Sequence, residues 1–283
     1  MTTTVELAAI TGVTQLVRST PATLEIKVYR GDTAVDLDAN PTVAVVDAQG
    51  TAVTSGTVAK TAGATGAYTA TVAAPAYLTT LTPTWSGLAS SAAVTITQAY
   101  EVVGGYLFTL ADLRAYKSGL SSTDQKLVDA RDQTTDMFES WCGQSFIPRP
   151  GYIRVSGDGS TLLNVRKSLV TSVVAVEEDG TEIDLTNVDV LDGGLIYNPT
   201  GWTFGVDNLE VWFEHGHTFP PRDIQRAAIK YAAYEVLADT SSISPRAMGL
   251  TNEFGNIRYA GFAPTGLPDV DAVLARYRIP PVA

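Results

Sequence analysis

Thr23-Leu24-Glu25-Ile26-Lys27-Val28-Tyr29 alternates apolar and polar side chains. Successive strand side chains point to opposite faces, so Leu24, Ile26 and Val28 line one face and Glu25, Lys27 and Tyr29 the other. A strand with one buried and one wet face is predicted. The pattern recurs on both sides of it, in Val13–Val17, Thr42–Asp47, Thr51–Thr57, Ala67–Ala73, Thr80–Ser86 and Ala92–Ala99. Arg30-Gly31-Asp32, Ala48-Gln49-Gly50, Ala62-Gly63-Ala64 and Ser86-Gly87 supply turn residues between the runs. Short strands with turns at roughly eight- to twelve-residue spacing predict a β-sandwich.

Gly66-Ala67-Tyr68-Thr69-Ala70-Thr71-Val72 resembles the Gly-x-Tyr opening of a late strand in immunoglobulin-like domains, where the tyrosine hydroxyl ties down a corner. The sandwich disulfide is absent, so the likeness is to the cysteine-free modules of that class. The chain has 283 residues, about twice a typical domain of roughly 150, which favours two domains. With 45% hydrophobic and 17% charged residues it is too apolar for a disordered chain and too weakly charged for a coiled coil.

Nineteen Lys and Arg against thirty Asp and Glu leave a formal charge of −11, which disfavours bulk nucleic-acid binding. The single cysteine, Cys142, excludes an internal disulfide and a thiolate zinc cage. A reducing compartment fits. No basic and apolar leader is readable at Met1-Thr2-Thr3-Thr4-Val5-Glu6, and no run of about 18 apolar residues occurs. Neither an export signal nor a membrane span is expected.

After Gly104-Gly105 the pattern becomes helical. Thr109 followed by Asp112 reads as a cap opening a short helix to Tyr116. Asp124 to Cys142 is a longer helix, with Leu127, Ala130, Thr134, Met137, Phe138 and Trp141 on its apolar stripe and Gly143 ending it. Short strands return between Tyr152 and Phe213, the best of them Leu169 to Val176 and Leu209 to Phe213. Pro220-Pro221-Arg222-Asp223 starts a helix to about Asp239, apolar on most of its circumference; cover from its own domain and cover from a neighbouring subunit are both open. Residues 240–266 form a long segment, either a hairpin with Phe254-Gly255-Asn256 near its tip or an arm buried by a partner. Val270, Val273, Leu274 and Tyr277 then make an amphipathic stripe, with Asp269 and Asp271 in the first turn and Arg276 and Arg278 in the last. At about ten residues that helix must dock on something, its own domain or another protein's groove.

No catalytic constellation is evident. His215-Gly216-His217 places two imidazoles at strand spacing, yet a metal site normally shows three or four ligands, and a turn role is expected. Asp132, Asp136 and Glu139 are read as a solvated helix face, and Cys142 as a buried structural thiol. GxGxxG, P-loop, GxSxG and EF-hand patterns are missing. An enzyme, a cofactor and a metal are not expected.

From Tyr106 onward the chain resembles the head-to-tail connector, or adaptor, proteins of long-tailed bacteriophages, especially those infecting actinobacteria. Four blocks carry the likeness: Leu107 to Tyr116; Phe138-Glu139-Ser140-Trp141-Cys142-Gly143-Gln144-Ser145-Phe146; Phe213 to His217 with Pro220 to Ile224; and Gly266 to Arg278, preceded by Ser244-Pro245-Arg246-Ala247. The resemblance implies an α+β multidomain chain. It would have an immunoglobulin-like sandwich over 1–103, a helical-bundle connector domain over 104–266 with a small β insertion near 150–215 and a long loop at 240–266, and an extended C-terminal arm over 267–283. It also implies a virion neck protein, assembled in the host cytoplasm into a ring, likened to a dodecamer. The portal would lie on one side, the stopper on the other, and DNA would pass through unbound. Portal contacts would come from Leu267, Val270, Val273, Leu274, Arg276, Tyr277, Arg278 and Ile279. Phe254, Asn256, Ile257, Arg258 and Tyr259 would face the channel or the next ring. The sandwich would be a decoration, with the capsid as one partner it could meet.

Residues 1–100 hold four basic and six acidic residues, leaving fifteen against twenty-four, or −9, in the remainder. A channel lined by carboxylates would let a duplex slide without sticking. The competing expectation is an adhesin binding carbohydrate through Trp85, Tyr77 and Tyr100 of the sandwich.

Overall fold

Pro21–Arg30 forms a ten-residue strand in which Leu24, Ile26 and Val28 are buried, as the alternation of apolar residues dictates. It belongs to a computed structural model that describes residues 5–9, 15–117, 120, 123–238, 247–250, 257–259 and 264–279. The chain divides into two units, Met1–Gly104 with Arg149–Gly151, and Gly105–Pro148 with Tyr152–Ala283.

In chain order the strands of the first unit are β1 (Val5–Ala9), β2 (Gln15–Val17), β3 (Pro21–Arg30), β4 (Thr33–Ala34), β5 (Thr42–Val46), β6 (Ala52–Val53), β7 (Ala59–Lys60), β8 (Ala67–Ala73), β9 (Thr80–Ala89), β10 (Ala92–Thr97) and β11 (Tyr100–Val103). One sheet runs β1-β3-β8-β7 with β4 on β3, and the other β2-β11-β9-β5-β6 with β10 on β9. Both feed one core. Leu24, Ile26, Val28, Tyr68, Ala70 and Val72 come from the first sheet, and Leu16, Val45, Leu81, Trp85, Tyr100 and Val102 from the second. The Tyr68 hydroxyl accepts the Leu37 N–H at 2.8 Å in that core, a corner tie of the expected kind. Strand β11 was not foreseen: its four residues carry no long alternation, and it is fixed by pairing parallel to β2 and antiparallel to β9.

The remaining elements are α1 (Leu110–Tyr116), α2 (Asp124–Cys142), β12 (Arg149–Val155), β13 (Leu162–Asn164), β14 (Val170–Glu178), β15 (Thr181–Glu182), β16 (Asp189–Leu191), β17 (Leu195–Tyr197), β18 (Leu209–His215), α3 (Arg222–Ala238), β19 (Ala247–Leu250), β20 (Ile257–Tyr259) and α4 (Pro268–Tyr277), all in the second unit except the first three residues of β12. Thr109 and Asp112 cap α1 reciprocally, and Gly143 ends α2 in the left-handed conformation at φ +70°.

The expected helical-bundle connector fold is overturned here. Among the described residues twenty strands accompany four helices, and the chain is mostly β. Its β-region is no minor insertion: β12-β18-β14-β15 and β13-β17-β16 are separate sheets. Together they enclose a core of their own, with Leu163, Val165, Val176, Ile196, Trp202, Leu209, Val211 and Phe213 buried. A region that buries this many large side chains has its own hydrophobic driving force.

Helix α3 is covered from within its own unit. Ile224, Ala227, Ala228, Tyr231, Ala232, Ala233 and Val236 are buried, and α1, α2 and α4 all pack on it. A neighbouring subunit is not required to cover that surface. Nor is the C-terminal segment an extended arm, because Val270 and Leu274 of α4 are buried in the unit that carries them.

Candidate functional site

The end of α2, the turn from β18 into α3, and α4 converge on one place. After Gly143 the chain crosses beneath the His215-Gly216-His217 turn, where His217 N–H donates to Ser145 O at 3.1 Å. Gly216 sits at φ +109°, and a Cβ there would come within 2.2 Å of Ile147 O. The motif therefore needs glycine between its histidines for close backbone approach. The His217 ring stacks on Phe146 with centroids 5.8 Å apart, and its Nε2 lies 3.3 Å from Gln144 Oε1. Burial holds the His217 pKa below its usual value.

Tyr277 meets Phe146 edge-on at 5.7 Å and donates its hydroxyl to Asp223 Oδ1 at 2.8 Å. Arg276 takes Asp223 Oδ2 at 3.0 Å, and Lys230 pairs with Asp269. That hydrogen bond from Lys230 holds the Asp269 carboxyl below its ordinary range. Gln144 Nε2 donates to Tyr277 O. Cys142 is buried, donates to Leu274 O at 3.5 Å, and has its thiol pushed up to about 11 by burial. Ile279 N–H returns a bond to Cys142 O at 2.8 Å.

Between α3 and α4 lies an open cleft of about 870 Å³. Tyr116, Ala227, Val270, Val273 and Tyr277 give it apolar walls, and Arg222, Arg226 and Lys230 run along one side at helical spacing. Asp223 and Asp269 also line it but are already engaged. Among the described residues no carboxylate pairs with Arg222 or Arg226, so the cleft carries surplus positive charge in an acidic chain.

Of the residues expected to touch a portal, Val270 and Leu274 are buried, Leu267, Val273 and Tyr277 are half-buried, and Arg276, Arg278 and Ile279 are exposed. Arg278 lies over the Trp141 ring at 4.8 Å. Of the channel residues, Phe254 and Asn256 lie outside the described residues. Ile257, Arg258 and Tyr259 form β20, antiparallel to β19 with Leu250 opposite Ile257. The acidic face of α2 is only partly solvated: Asp136 is exposed, Asp132 is buried, and Glu139 Oε1 accepts the Phe146 N–H at 2.7 Å. Trp85 and Tyr100 are core residues, and Tyr77 is half-buried with its hydroxyl donating to Asp47 Oδ2 at 2.6 Å. The basic stripe Arg222, Arg226, Lys230 was missed in the sequence, although its i, i+4, i+8 spacing signals it.

No protein-family profile matches the chain, and no curated protein matches it. Among solved structures, the crystal structure of the Lin-41 filamin domain is 12% identical, covering 36% of this chain and 93% of that one, with a TM-score of 0.26. A three-immunoglobulin-domain structure of titin, an E-to-A mutated variant, is 10% identical with a TM-score of 0.23. That match covers 75% of this chain, which spans 55% of the titin chain. Likenesses this distant assign nothing further.

Proposed function

We propose that this chain is a head-to-tail adaptor of a long-tailed bacteriophage. It is a structural virion protein, not an enzyme, forming a ring between portal and stopper through which DNA passes. One observation supports this reading above the rest. The four sequence blocks that carry the resemblance, the first and last of them 150 residues apart in the chain, gather into one packed module. Phe146 of the second block touches His217 of the third and Tyr277 of the fourth, and Tyr116 of the first lines the cleft with Arg222 and Val273. Residues that meet in space across such separations act as a unit. The −9 charge of residues 101–283 is compatible with a conduit that does not hold DNA.

With α4 docked, Val270 and Leu274 are occupied, and the portal contact falls to the exposed face of Ala272, Ala275 and Arg276, with Arg278 and Ile279 beyond it. Capture of portal-bearing capsids by the tagged full chain tests the reading. Binding by the wild type and its loss in Ala272→Glu/Ala275→Glu support it, and a wild type that ignores portals sinks it.

A further inference from the structure

Phe204 is 82% exposed and Val206 86% exposed, on the connection from β17 to β18. Side chains this apolar are normally withdrawn from water unless something covers them. The loop is not slack. Asn208 Oδ1 accepts the Gly157 N–H at 2.9 Å while its Nδ2 donates to Thr203 O at 2.9 Å. Thr203 N–H and Oγ1–H donate to the Glu178 carboxylate at 3.1 and 3.0 Å, and Gly205 N–H donates to Gly157 O at 3.0 Å. A Cβ on Gly157 would sit 2.0 Å from Thr203 O, and one on Gly205 2.6 Å from Asn208 Cγ. The backbone is thus built to hold two apolar side chains outward, which removes most of the ordering cost of binding through them.

Exposed carboxylates flank this knob at Asp158, Asp179 and Asp207. Asp179 N–H donates to Asn208 O, so that turn abuts the loop. The α3–α4 cleft is the complement in both respects: apolar walls, and surplus charge at Arg222 and Arg226. Its volume of about 870 Å³ is within the roughly 300–1,000 Å³ of clefts that enclose small ligands. We propose that the Phe204–Val206 loop of one copy docks in the α3–α4 cleft of a second copy of this chain. Donor and acceptor surfaces lie on different elements of the same unit, so the contact is head-to-tail and can repeat from copy to copy. It deepens the adaptor reading by naming a copy-to-copy contact, and rests on that reading only for closure into a ring.

Mass photometry and sedimentation of the full chain test it. The wild type should self-associate, with a dissociation constant that weakens about tenfold or more between low and high salt. Phe204→Ala/Val206→Ala and Arg222→Glu/Arg226→Glu should each be monomeric while melting within about 2 °C of the wild type, as surface changes do. Mixed in equal amounts, they should form a 1:1 dimer and nothing larger, because each supplies the half the other lacks. A wild type that stays monomeric at high concentration overturns the proposal. So do variants that still self-associate, or a mixture that fails to dimerise because residues 239–263 or a foreign protein occupy the cleft. Portal capture separates the two readings: a monomer that binds portals refutes only this contact, and an associating chain that ignores them refutes only the adaptor.

Discussion

Tyr277, in the last turn of α4, donates its hydroxyl to Asp223 Oδ1 in the first turn of α3 at 2.8 Å, across fifty-four residues of sequence. Asp223 sits where the positive end of the helix dipole favours a carboxylate, and Arg276 holds its other oxygen. Tyr277→Phe removes one hydrogen bond to a charged group but leaves the ring against Phe146. A loss of about 1 kcal/mol is expected, at the low end for charged partners because the carboxylate is partly exposed. Urea unfolding should show a lower midpoint with an unchanged slope.

In the sandwich, Tyr68→Phe should cost more. The Tyr68 hydroxyl is the acceptor for a buried Leu37 N–H, and a phenyl ring leaves that donor unsatisfied. About 1–3 kcal/mol is expected. Faster hydrogen exchange at β3 and β8 amides, with α2 and α3 amides unaffected, would locate the loss in the first unit.

The sequence made some of this legible and hid the rest for physical reasons. β3 and β8 were readable because alternation in strands of seven to ten residues marks one wet and one dry face. The stripe of α4 was readable as a helix, but not which surface takes it; that depends on Phe146, Cys142 and Gln144, supplied from far away in the chain. In His215-Gly216-His217 the imidazoles drew attention, while the position the fold depends on is the glycine between them. The knob at Phe204 and Val206 left no signal, since an exposed apolar residue in a loop looks like a buried one until its surroundings are known.

Gly216 and His217 should respond differently to substitution by alanine. Gly216→Ala forces a left-handed backbone onto a β-carbon that meets Ile147 O, and roughly 2 kcal/mol or more of destabilisation is expected. His217→Ala should cost less, losing one stacked ring and a 3.3 Å contact. Thermal midpoints of the two variants decide the order.

His217 also predicts a pH dependence. Burial lowers its folded pKa below the ordinary 6.5, so the unfolded chain binds the proton more readily. Its contribution is fully present above about pH 6.5 and is lost as the pH falls toward the lowered folded value. His217→Gln should flatten that part of the stability profile; a wild-type curve that matches the variant between pH 7 and 5 would refute it.

Arg131 and Asp132 form a buried pair, Nε to Oδ1 at 2.8 Å, with the guanidinium 3.4 Å above the Tyr106 ring. Burial pushes the Asp132 carboxyl upward, against the pull of Arg131, and its Oδ2 has no hydrogen-bond partner. Arg131→Met strands that carboxylate and should cost about 3–5 kcal/mol, while adding Asp132→Asn should recover a large part. The single variant should also regain stability as the pH falls, since protonation relieves the stranded charge. Strict additivity in the cycle would show that the pair is not coupled.

Removing the C-terminal segment has consequences opposite to those the sequence suggests. A short amphipathic helix read alone is a detachable arm, and deleting 267–283 should leave a folded chain that cannot join a portal. In the structure Leu274 is fully buried and its carbonyl accepts from Cys142, Ile279 N–H bonds back to Cys142 O, and Lys230 pairs with Asp269. Leu274→Ala alone should cost about 2–5 kcal/mol. The deletion strips Val270, Leu274 and Tyr277 from α2 and α3 together, and it should unfold the second unit or leave it binding hydrophobic dye. A truncated chain that fails to reach a portal would then report only a lost fold. Ala272→Glu/Ala275→Glu, on the exposed face of the same helix, keeps the buried contacts and should melt like the wild type. A truncation that melts cooperatively at the wild-type midpoint would show that α4 contributes nothing to its own unit.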